Sequence, residues 1–210
     1  MRQALWPDMS LDTIIHRARI LVIDDQDFPY KTLFKKDGFN VDKWNDVTRL
    51  QDLEQGKYDL ILLDLQGIGG RLSTNDQGLG VLRHLKESNP DQVIVAYSNA
   101  DWGVRYQPFF DLADAVLPKS ADYLDFKRVV EECLQDHFDV DRYVSRFQAA
   151  LTEAGFSKRK SARIARALVS TEDIEPVKSA VRTKVTDTSR FEHLISLANL
   201  VVKVAELWKK

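Results

Sequence analysis

The stretch RILVIDD, residues 19–25, decides how this chain folds. Its apolar residues form a nearly continuous run, which is typical of a parallel strand that is covered on both faces of its sheet. Two aspartates, Asp24 and Asp25, follow this run at once. The stretch therefore predicts a buried strand that ends in two adjacent acidic side chains.

Further segments repeat the pattern of strand and helix along the first two thirds of the chain. The alternation predicts an α/β fold, a doubly wound sheet of five parallel strands with right-handed crossovers. Strands of the same apolar type are expected at residues 60–63, 93–97 and 115–117, with a weaker strand at 39–44. Amphipathic stretches that predict helices lie at residues 29–36, 77–88 and 123–135.

Charge divides the chain into two parts. Residues 139–210 contain 14 Lys and Arg against 9 Asp and Glu, so they carry +5, and the preceding residues carry −7 of the net charge of −2. Strand patterns also stop near residue 138. We therefore expect an N-terminal extension at residues 1–17, an α/β domain at 18–136 and an all-helical region for output or oligomerisation at 139–210.

The composition favours a soluble, cytoplasmic protein. The start of the chain lacks the apolar core of a signal peptide, and no apolar run reaches the length of a membrane span. The single cysteine, Cys133, cannot form an internal disulfide and lies among helix-forming residues. A buried, unreactive thiol is the expected interpretation.

Polar residues are expected to meet at one edge of the predicted sheet. Asp24 and Asp25 follow the first strand, and Asp64 follows the third. Ser98 ends the fourth strand and Lys119 follows the fifth. Three carboxylates at the carboxyl ends of parallel strands would repel one another unless a divalent cation or an ammonium group lay among them. The pattern therefore indicates a site for Mg²⁺, which prefers oxygen ligands.

Four motifs resemble those of the receiver domains of bacterial response regulators, the CheY-like domains of two-component signal transduction. They are RILVIDD, YDLILLDLQG, VIVAYSNA and AVLPKS, and the resemblance covers residues 18–136. It implies a flavodoxin-like fold and no enzymatic activity beyond the domain's own phosphorylation and dephosphorylation. The implied phosphodonor is a histidine kinase or a histidine phosphotransfer protein.

The resemblance also implies the roles of the acidic residues. Asp64 would be the phosphoacceptor and would form an aspartyl phosphate. Mg²⁺ would be bound directly by Asp25 and Asp64, through water by Asp24, and by the backbone carbonyl of Gln66. A carboxylate can attack phosphorus only when the incoming negative charge is offset by metal and ammonium groups, so these roles are chemically consistent.

The remaining positions match the family in part. Ser98 and Lys119 would each bind an oxygen of the phosphoryl group. Receivers commonly have a proline after this lysine, joined by a cis peptide, whereas Ser120 follows it here. Val116 stands where the family has an aromatic switch residue, so another element must carry the signal, and the aromatic-rich segment Trp102–Phe110 is the expected one.

The connection after Asp64 is longer than is usual in the family. Gly67, Gly69 and Gly70 precede a polar stretch, Arg71–Gln77, before the next helix begins. A loop of this kind can act as a lid or a docking surface. A tolerated surface insertion explains the sequence equally well.

Two other interpretations fit part of the pattern. A phosphohydrolase of the haloacid dehalogenase type would use Asp25 and Asp27 with Ser98 and Lys119, but it leaves Asp64 without a role. The Thr or Val expected in that family after the second aspartate is replaced here by Phe28-Pro29, and no acidic pair follows a later strand. A binding module that kept the receiver fold but does not use phosphate is the other alternative.

The helical region has a basic part and an apolar part. Helices are expected at residues 141–154, 157–169 and 189–208, the last with a capping box at Ser189 and Glu192, and Pro176 is expected to interrupt the region after Thr171. The segment 157–166 is basic, and the stretch from it to residue 185 faintly resembles a helix-turn-helix. The turn of that stretch is long, lacks glycine and carries Glu172, Asp173 and Glu175 where phosphate would approach, so a solvated basic face is favoured over DNA binding. The final helix is apolar on more than one face, so either the other tail helices or a second subunit must cover it. A homodimer through this helix is the expected association, DNA binding is the alternative, and membrane insertion is not expected.

Overall fold

The computed structural model describes residues 9–70, 76–99 and 111–209, with the side chains of 207–209 left out. Contacts within the chain define two compact units. The first, called the α/β unit here, spans Ser10–His137, and the second, called the helical unit, begins at Phe138.

The α/β unit contains a parallel sheet of five strands in the order β2-β1-β3-β4-β5. This order is that of the flavodoxin-like class, to which CheY-like domains belong, and it confirms the fold class predicted from sequence. Each strand begins and ends within one residue of its predicted position. The strands are β1 (Arg19–Ile23), β2 (Asn40–Trp44), β3 (Leu60–Asp64), β4 (Val93–Ser98) and β5 (Ala115–Pro118), and the helices are α1 (Leu11–Arg17), α2 (Lys31–Lys36), α3 (Leu50–Glu54), α4 (Gln77–Ser88) and α5 (Tyr123–His137).

The central strands are buried from end to end. Every residue of β3 and β4 is buried, including the polar residues Asp64 and Ser98 at their carboxyl ends. The edge strand β2 alternates between exposed and buried positions at its start, which explains its weaker apolar pattern in the sequence. Because the sheet is covered on both faces, the side chains at the carboxyl ends of these central strands lie where there is little water.

Helix α1 lies within residues 1–17, which the sequence predicts to be an N-terminal extension. Ser10 caps this helix by accepting a hydrogen bond from the backbone N–H of Thr13, and Ile14 and Ile15 are buried. The helix packs against α5 and β2. The compact unit therefore begins at Ser10, eight residues before the expected boundary at residue 18.

The helical unit contains four described helices: α6 (Val140–Glu153), α7 (Lys158–Thr171), α8 (Glu175–Arg182) and α9 (Thr188–Lys209). Asp139 and Ser157 cap α6 and α7 through their side chains. Pro176 does not interrupt a helix, because it lies in the first turn of α8, where its missing N–H is not needed. The side chain of Asp187, rather than the expected Ser189, accepts a hydrogen bond from the first turn of α9, from the N–H of Arg190 at 2.8 Å.

Helix α9 forms the centre of the helical unit. It contacts α6, α7 and α8. Apolar residues on more than one face of α9 are therefore buried by the other helices of the unit. This is one of the two ways of covering the helix that the sequence allows, the other being a second subunit. The buried residues of α9 are Leu194, Leu197, Ala198, Val201, Val204 and Ala205.

Across the described residues, no helix is both long enough and apolar enough to span a membrane.

The half-buried Cys133 on α5 provides a test of the packing of this helix. Burial, followed by the negative charge of Asp114, raises the pKa of its thiol from the ordinary 9.0 to about 11. A raised pKa favours the neutral thiol, so the thiolate fraction at pH 8 is about 100-fold lower. Each thiolate is also more nucleophilic, which offsets about tenfold of this difference.

We therefore expect iodoacetamide to alkylate Cys133 about tenfold more slowly in the folded protein than in urea at pH 8. The rate in the folded protein should keep rising above pH 9, where the rate in urea levels off. Mass spectrometry of timed samples measures both rates. Equal rates at pH 8 would contradict the burial of this thiol.

Candidate site at the carboxyl ends of the strands

Three carboxylates lie together at the carboxyl edge of the sheet. Asp24 and Asp25 follow β1 directly, and Asp64 is the last residue of the neighbouring strand β3. One oxygen from each of the three lies within 4.8 Å of the others. Asp64 has no exposed surface and Asp24 is only 3% exposed, whereas Asp25 is exposed. The cluster therefore has a buried side and an open side.

Among the described residues, Lys119 brings the one ammonium group that pairs with these carboxylates, while that of Lys43 donates to the backbone carbonyl of Asp24 at 2.9 Å. Nζ of Lys119 lies 2.6 Å from Oδ2 of Asp64 and 3.8 Å from Oδ1 of Asp24. The backbone of Lys119 is held beside the end of β4, because its N–H donates to the carbonyl of Ser98 at 2.9 Å. One ammonium group against three carboxylates leaves an excess of negative charge.

The pKa values of the ion pair reflect this imbalance. Burial raises the pKa of Asp64, although hydrogen bonds from Lys119 and from the N–H of Gln66 oppose the effect. Burial alone would lower the pKa of Lys119, but the contact with Asp64 and the charges of Asp24 and Asp25 outweigh it and raise the pKa. Lys119 therefore stays an ammonium group. The pKa of Asp64 remains raised, because one ammonium group does not offset the effect of burying its carboxylate.

The donor set fits a hard divalent cation. It consists of carboxylate oxygens, the ligands that Mg²⁺ prefers, and an added positive charge would relieve the cost of burying Asp64 beside Asp24. Asp25 lies on the open side, from which a hydrated ion can enter. The residues present are therefore suited to Mg²⁺.

The other two expected residues also lie at this edge. Ser98 is buried at the end of β4, next to β3. Gln66 follows β3, and its backbone N–H donates to Oδ1 of Asp64 at 3.1 Å. The topology thus places all six sequence-predicted residues at one edge of the sheet.

One departure from the family pattern concerns the residue after Lys119. The peptide bond between Lys119 and Ser120 is trans. The segment Trp102–Phe110, expected to carry the signal, lies outside the described residues, as do residues 71–75 of the long loop.

Two glycines let the backbone approach the acidic residues closely. Gly67 has a φ of +77°, and a Cβ at this position would lie 2.6 Å from Oδ2 of Asp25. Gly78, in the first turn of α4, packs against the backbone at the end of β3, where a Cβ would lie 2.5 Å from the carbonyl oxygen of Asp64. The side chain of Gln77 joins the two positions by accepting a hydrogen bond from the N–H of Gly67 at 3.0 Å.

Tyr97 is a site residue that sequence reasoning missed. Its hydroxyl donates to Oδ2 of Asp24 at 2.8 Å, and the side chain is 2% exposed. Burial, followed by the negative charge of Asp24, raises the pKa of Tyr97, so the phenol stays protonated and remains a donor. The signal that could have revealed it is a phenol in an otherwise aliphatic buried strand, one residue before Ser98.

Comparison with known proteins gives similarity at the level of fold. No protein-family model matches the chain, and no curated protein matches it. Among solved structures, it is similar to a CheY-like response regulator receiver domain protein from Methanospirillum hungatei JF-1, with 20% identity and a TM-score of 0.47 over 57% of this chain and 94% of that chain. The signal receiver domain of a putative Luxo repressor protein from Vibrio parahaemolyticus gives 19% identity and a TM-score of 0.49 over 57% of this chain and 92% of that one.

A third similar structure, NtrX from Brucella abortus, shows 21% identity and a TM-score of 0.48 over 57% of this chain. The match spans only 27% of the NtrX chain. The strand order by itself gives the class to which the fold of the α/β unit belongs, the flavodoxin-like class of parallel sheets.

The close contact of Gly78 with β3 gives a stability prediction. Replacing Gly78 with Ala forces the backbone of α4 away from Asp64 and Leu65, because the new Cβ would overlap atoms of both residues. We expect a loss of about 1–3 kcal/mol in the free energy of unfolding, as for other overpacked sites. The matched control is Gly70→Ala, whose Cβ would meet nothing within 4 Å. Urea unfolding of both variants measures the difference, and an equal loss in the two would contradict the close packing at Gly78.

Proposed function

We propose that the α/β unit is a phosphoacceptor receiver domain of a two-component response regulator, in which Asp64 accepts a phosphoryl group in the presence of Mg²⁺. The observation that supports this most directly is the surroundings of Asp64. Its buried carboxylate lies 2.6 Å from an ammonium group and beside two further carboxylates, at the end of a parallel strand.

The proposed chemistry is a transfer of the phosphoryl group between two side chains. An oxygen of the Asp64 carboxylate forms a bond to phosphorus while the bond from phosphorus to the donor's histidine nitrogen breaks, and the histidine leaves. Asp25, Asp64 and the carbonyl of Gln66 would hold Mg²⁺ directly and Asp24 through water, and the ion would supply positive charge for the phosphoryl oxygens.

The protein's own residues stabilise the product. The ammonium group of Lys119 offsets the added charge, as it already does for the carboxylate. The Ser98 hydroxyl donates to a phosphoryl oxygen once Asp64 is modified. New charge and acceptor oxygens draw these groups inward and change the surface offered to partners. The domain thus acts as a switch and turns over no substrate other than its own phosphoryl group.

The position of Asp27 supports this proposal over a phosphohydrolase. The hydrolase interpretation makes Asp25 the nucleophile and Asp27 its acid. Asp27 is exposed and is not among the three clustered carboxylates. Lys119 forms its short ion pair with Asp64, the residue to which that interpretation gives no role.

The partner that supplies the phosphoryl group is proposed to be a histidine kinase or a histidine phosphotransfer protein. The partner of the helical unit is a separate question. The apolar surface of α9 that suggested a homodimer is largely buried within the unit, and Ile195, Leu200 and Val202 remain only partly buried. Arg159, Arg163 and Arg166 form an exposed basic face on α7.

The phosphoacceptor assignment predicts the outcome of labelling with a small phosphodonor and Mg²⁺. The full-length protein should gain one phosphoryl group that is stable in acid and labile in base, as expected for an acyl phosphate, and chelation of Mg²⁺ should prevent it. Asp64→Asn should not be labelled, while the control Asp27→Asn should be labelled like the wild type. Intact-mass spectrometry measures each reaction.

Two outcomes would overturn the assignment and point to different alternatives. Loss of labelling in Asp27→Asn, with labelling of Asp64→Asn retained, would favour the phosphohydrolase. An unlabelled wild-type protein would favour a binding module that does not use phosphate.

Sedimentation of the full-length protein distinguishes the two associations proposed for the helical unit. A homodimer held by apolar surface should persist or strengthen as salt rises, whereas DNA binding through several phosphate contacts should weaken steeply. With the partly buried Ile195, Leu200 and Val202 as its contact surface, we expect a salt-resistant dimer and no stable complex with duplex DNA. A monomer that binds DNA at low salt would contradict this. In that case Arg159→Ala with Arg163→Ala should weaken binding more than the control Arg146→Ala on α6.

A further inference from the structure

The carboxylate of Asp24 is held by the protein through both of its oxygens. Oδ1 accepts a hydrogen bond from the backbone N–H of Gln26 at 2.9 Å, and Oδ2 accepts one from the hydroxyl of Tyr97 at 2.8 Å. Asp25, in contrast, is exposed and faces the open side of the cluster. The carboxylate of Asp24 is therefore fixed by hydrogen bonds within the protein, whereas Asp25 is open to solvent.

The ring of Tyr97 is fixed by its neighbours, so its hydroxyl is a fixed point. The ring centroid lies 6.0 Å from that of Phe28 and 5.6 Å from that of Phe126. Its backbone is paired in the sheet, directly opposite Asp64. A close-packed aromatic side chain on a central strand has little freedom to move. The hydrogen bond therefore orients the carboxylate of Asp24 rather than the phenol.

We propose that Tyr97 is a positioning residue for the cation site and that it acts through Asp24. Its hydroxyl fixes the carboxylate of Asp24 in one orientation, so that Asp24 acts on a bound Mg²⁺ from an outer position while Asp25 and Asp64 remain available as direct ligands. The inference rests on the cation site of the proposed function and adds to it a residue on β4 that is not one of the acidic or phosphoryl-binding positions.

Loss of the hydroxyl should disturb the charges around Asp64. Oδ1 of Asp24 already lies 3.8 Å from Nζ of Lys119. Without the bond to Tyr97, the carboxylate can turn toward this ammonium group and compete for it with Asp64. Asp24 is then no longer held ready for the ion. Partners that orient metal ligands typically contribute about 10- to 100-fold to metal affinity.

The variant that tests this is Tyr97→Phe, which removes the hydroxyl and keeps the ring. The contact of the ring with the Lys119 ammonium, 5.9 Å from the centroid, is retained. Tyr30→Phe is a matched control: Tyr30 packs against Phe126, but its hydroxyl donates to the backbone carbonyl of Ala121 instead of a carboxylate. Both variants lose one phenol hydroxyl from the same aromatic cluster.

The measurement is the Mg²⁺ dissociation constant of the full-length protein by isothermal titration calorimetry. We expect Tyr97→Phe to weaken Mg²⁺ binding about tenfold and Tyr30→Phe to leave it unchanged. In an Asp24→Asn background, Tyr97→Phe should cause no further loss, because the residue acts through that carboxylate. Thermal unfolding of the two Phe variants separates this effect from a general loss of stability, which would weaken binding in both.

Three results would overturn the inference. They are an affinity of Tyr97→Phe within twofold of the wild type, equal losses in Tyr97→Phe and Tyr30→Phe, and a tenfold loss that persists in the Asp24→Asn background. A wild-type protein that binds no Mg²⁺ would overturn the proposed function and this inference together. Binding by the wild type with an unaffected Tyr97→Phe variant would remove the inference alone.

Discussion

The structure of the α/β unit depends on placing three carboxylates and one ammonium group at the same end of a buried sheet. The contact between Lys119 and Asp64, at 2.6 Å, is the one that offsets charge most directly. It does not balance the cluster, since burial still raises the pKa of Asp64. The donor set is therefore suited to additional positive charge, which is what the proposed binding of a cation would supply.

The surrounding fold serves this arrangement. Strands β3 and β4 are apolar until their last residues, so Asp64 and Ser98 emerge where water is scarce. The absence of a side chain at Gly67 and Gly78 lets backbone approach Asp25 and Asp64 where a Cβ would clash. Hydrogen bonds from backbone N–H groups, such as that of Gln66, then hold the carboxylates in place. The geometry is thus set by the backbone as much as by the acidic side chains.

The sequence predicts the sheet well because its signals are local. A continuous apolar run such as residues 19–23 identifies a buried strand, and an aspartate after it identifies the functional edge. Helices α1 and α3 were not predicted, and their seven and five residues give few turns in which a periodic pattern can stand out. The equally short α2 was predicted only as part of the longer stretch 29–36. The contact of Tyr97 with Asp24 joins residues 73 positions apart, and it depends on how three strands align and how a ring packs. Neither the alignment of the strands nor the packing of the ring can be predicted from the spacing of residues in the sequence.

The central claim is that the acidic residues at this edge form one cation site, and the free energy of unfolding as a function of Mg²⁺ concentration tests it most directly. Urea unfolding of the full-length protein, with KCl used to match ionic strength, gives this quantity. An ion that binds only the folded state should stabilise the wild type by about 2.7 kcal/mol at 100 times its dissociation constant, and Asp25→Asn should gain much less at the same concentration. A wild-type stability that does not respond to Mg²⁺, or an equal gain in Asp25→Asn, would contradict the account.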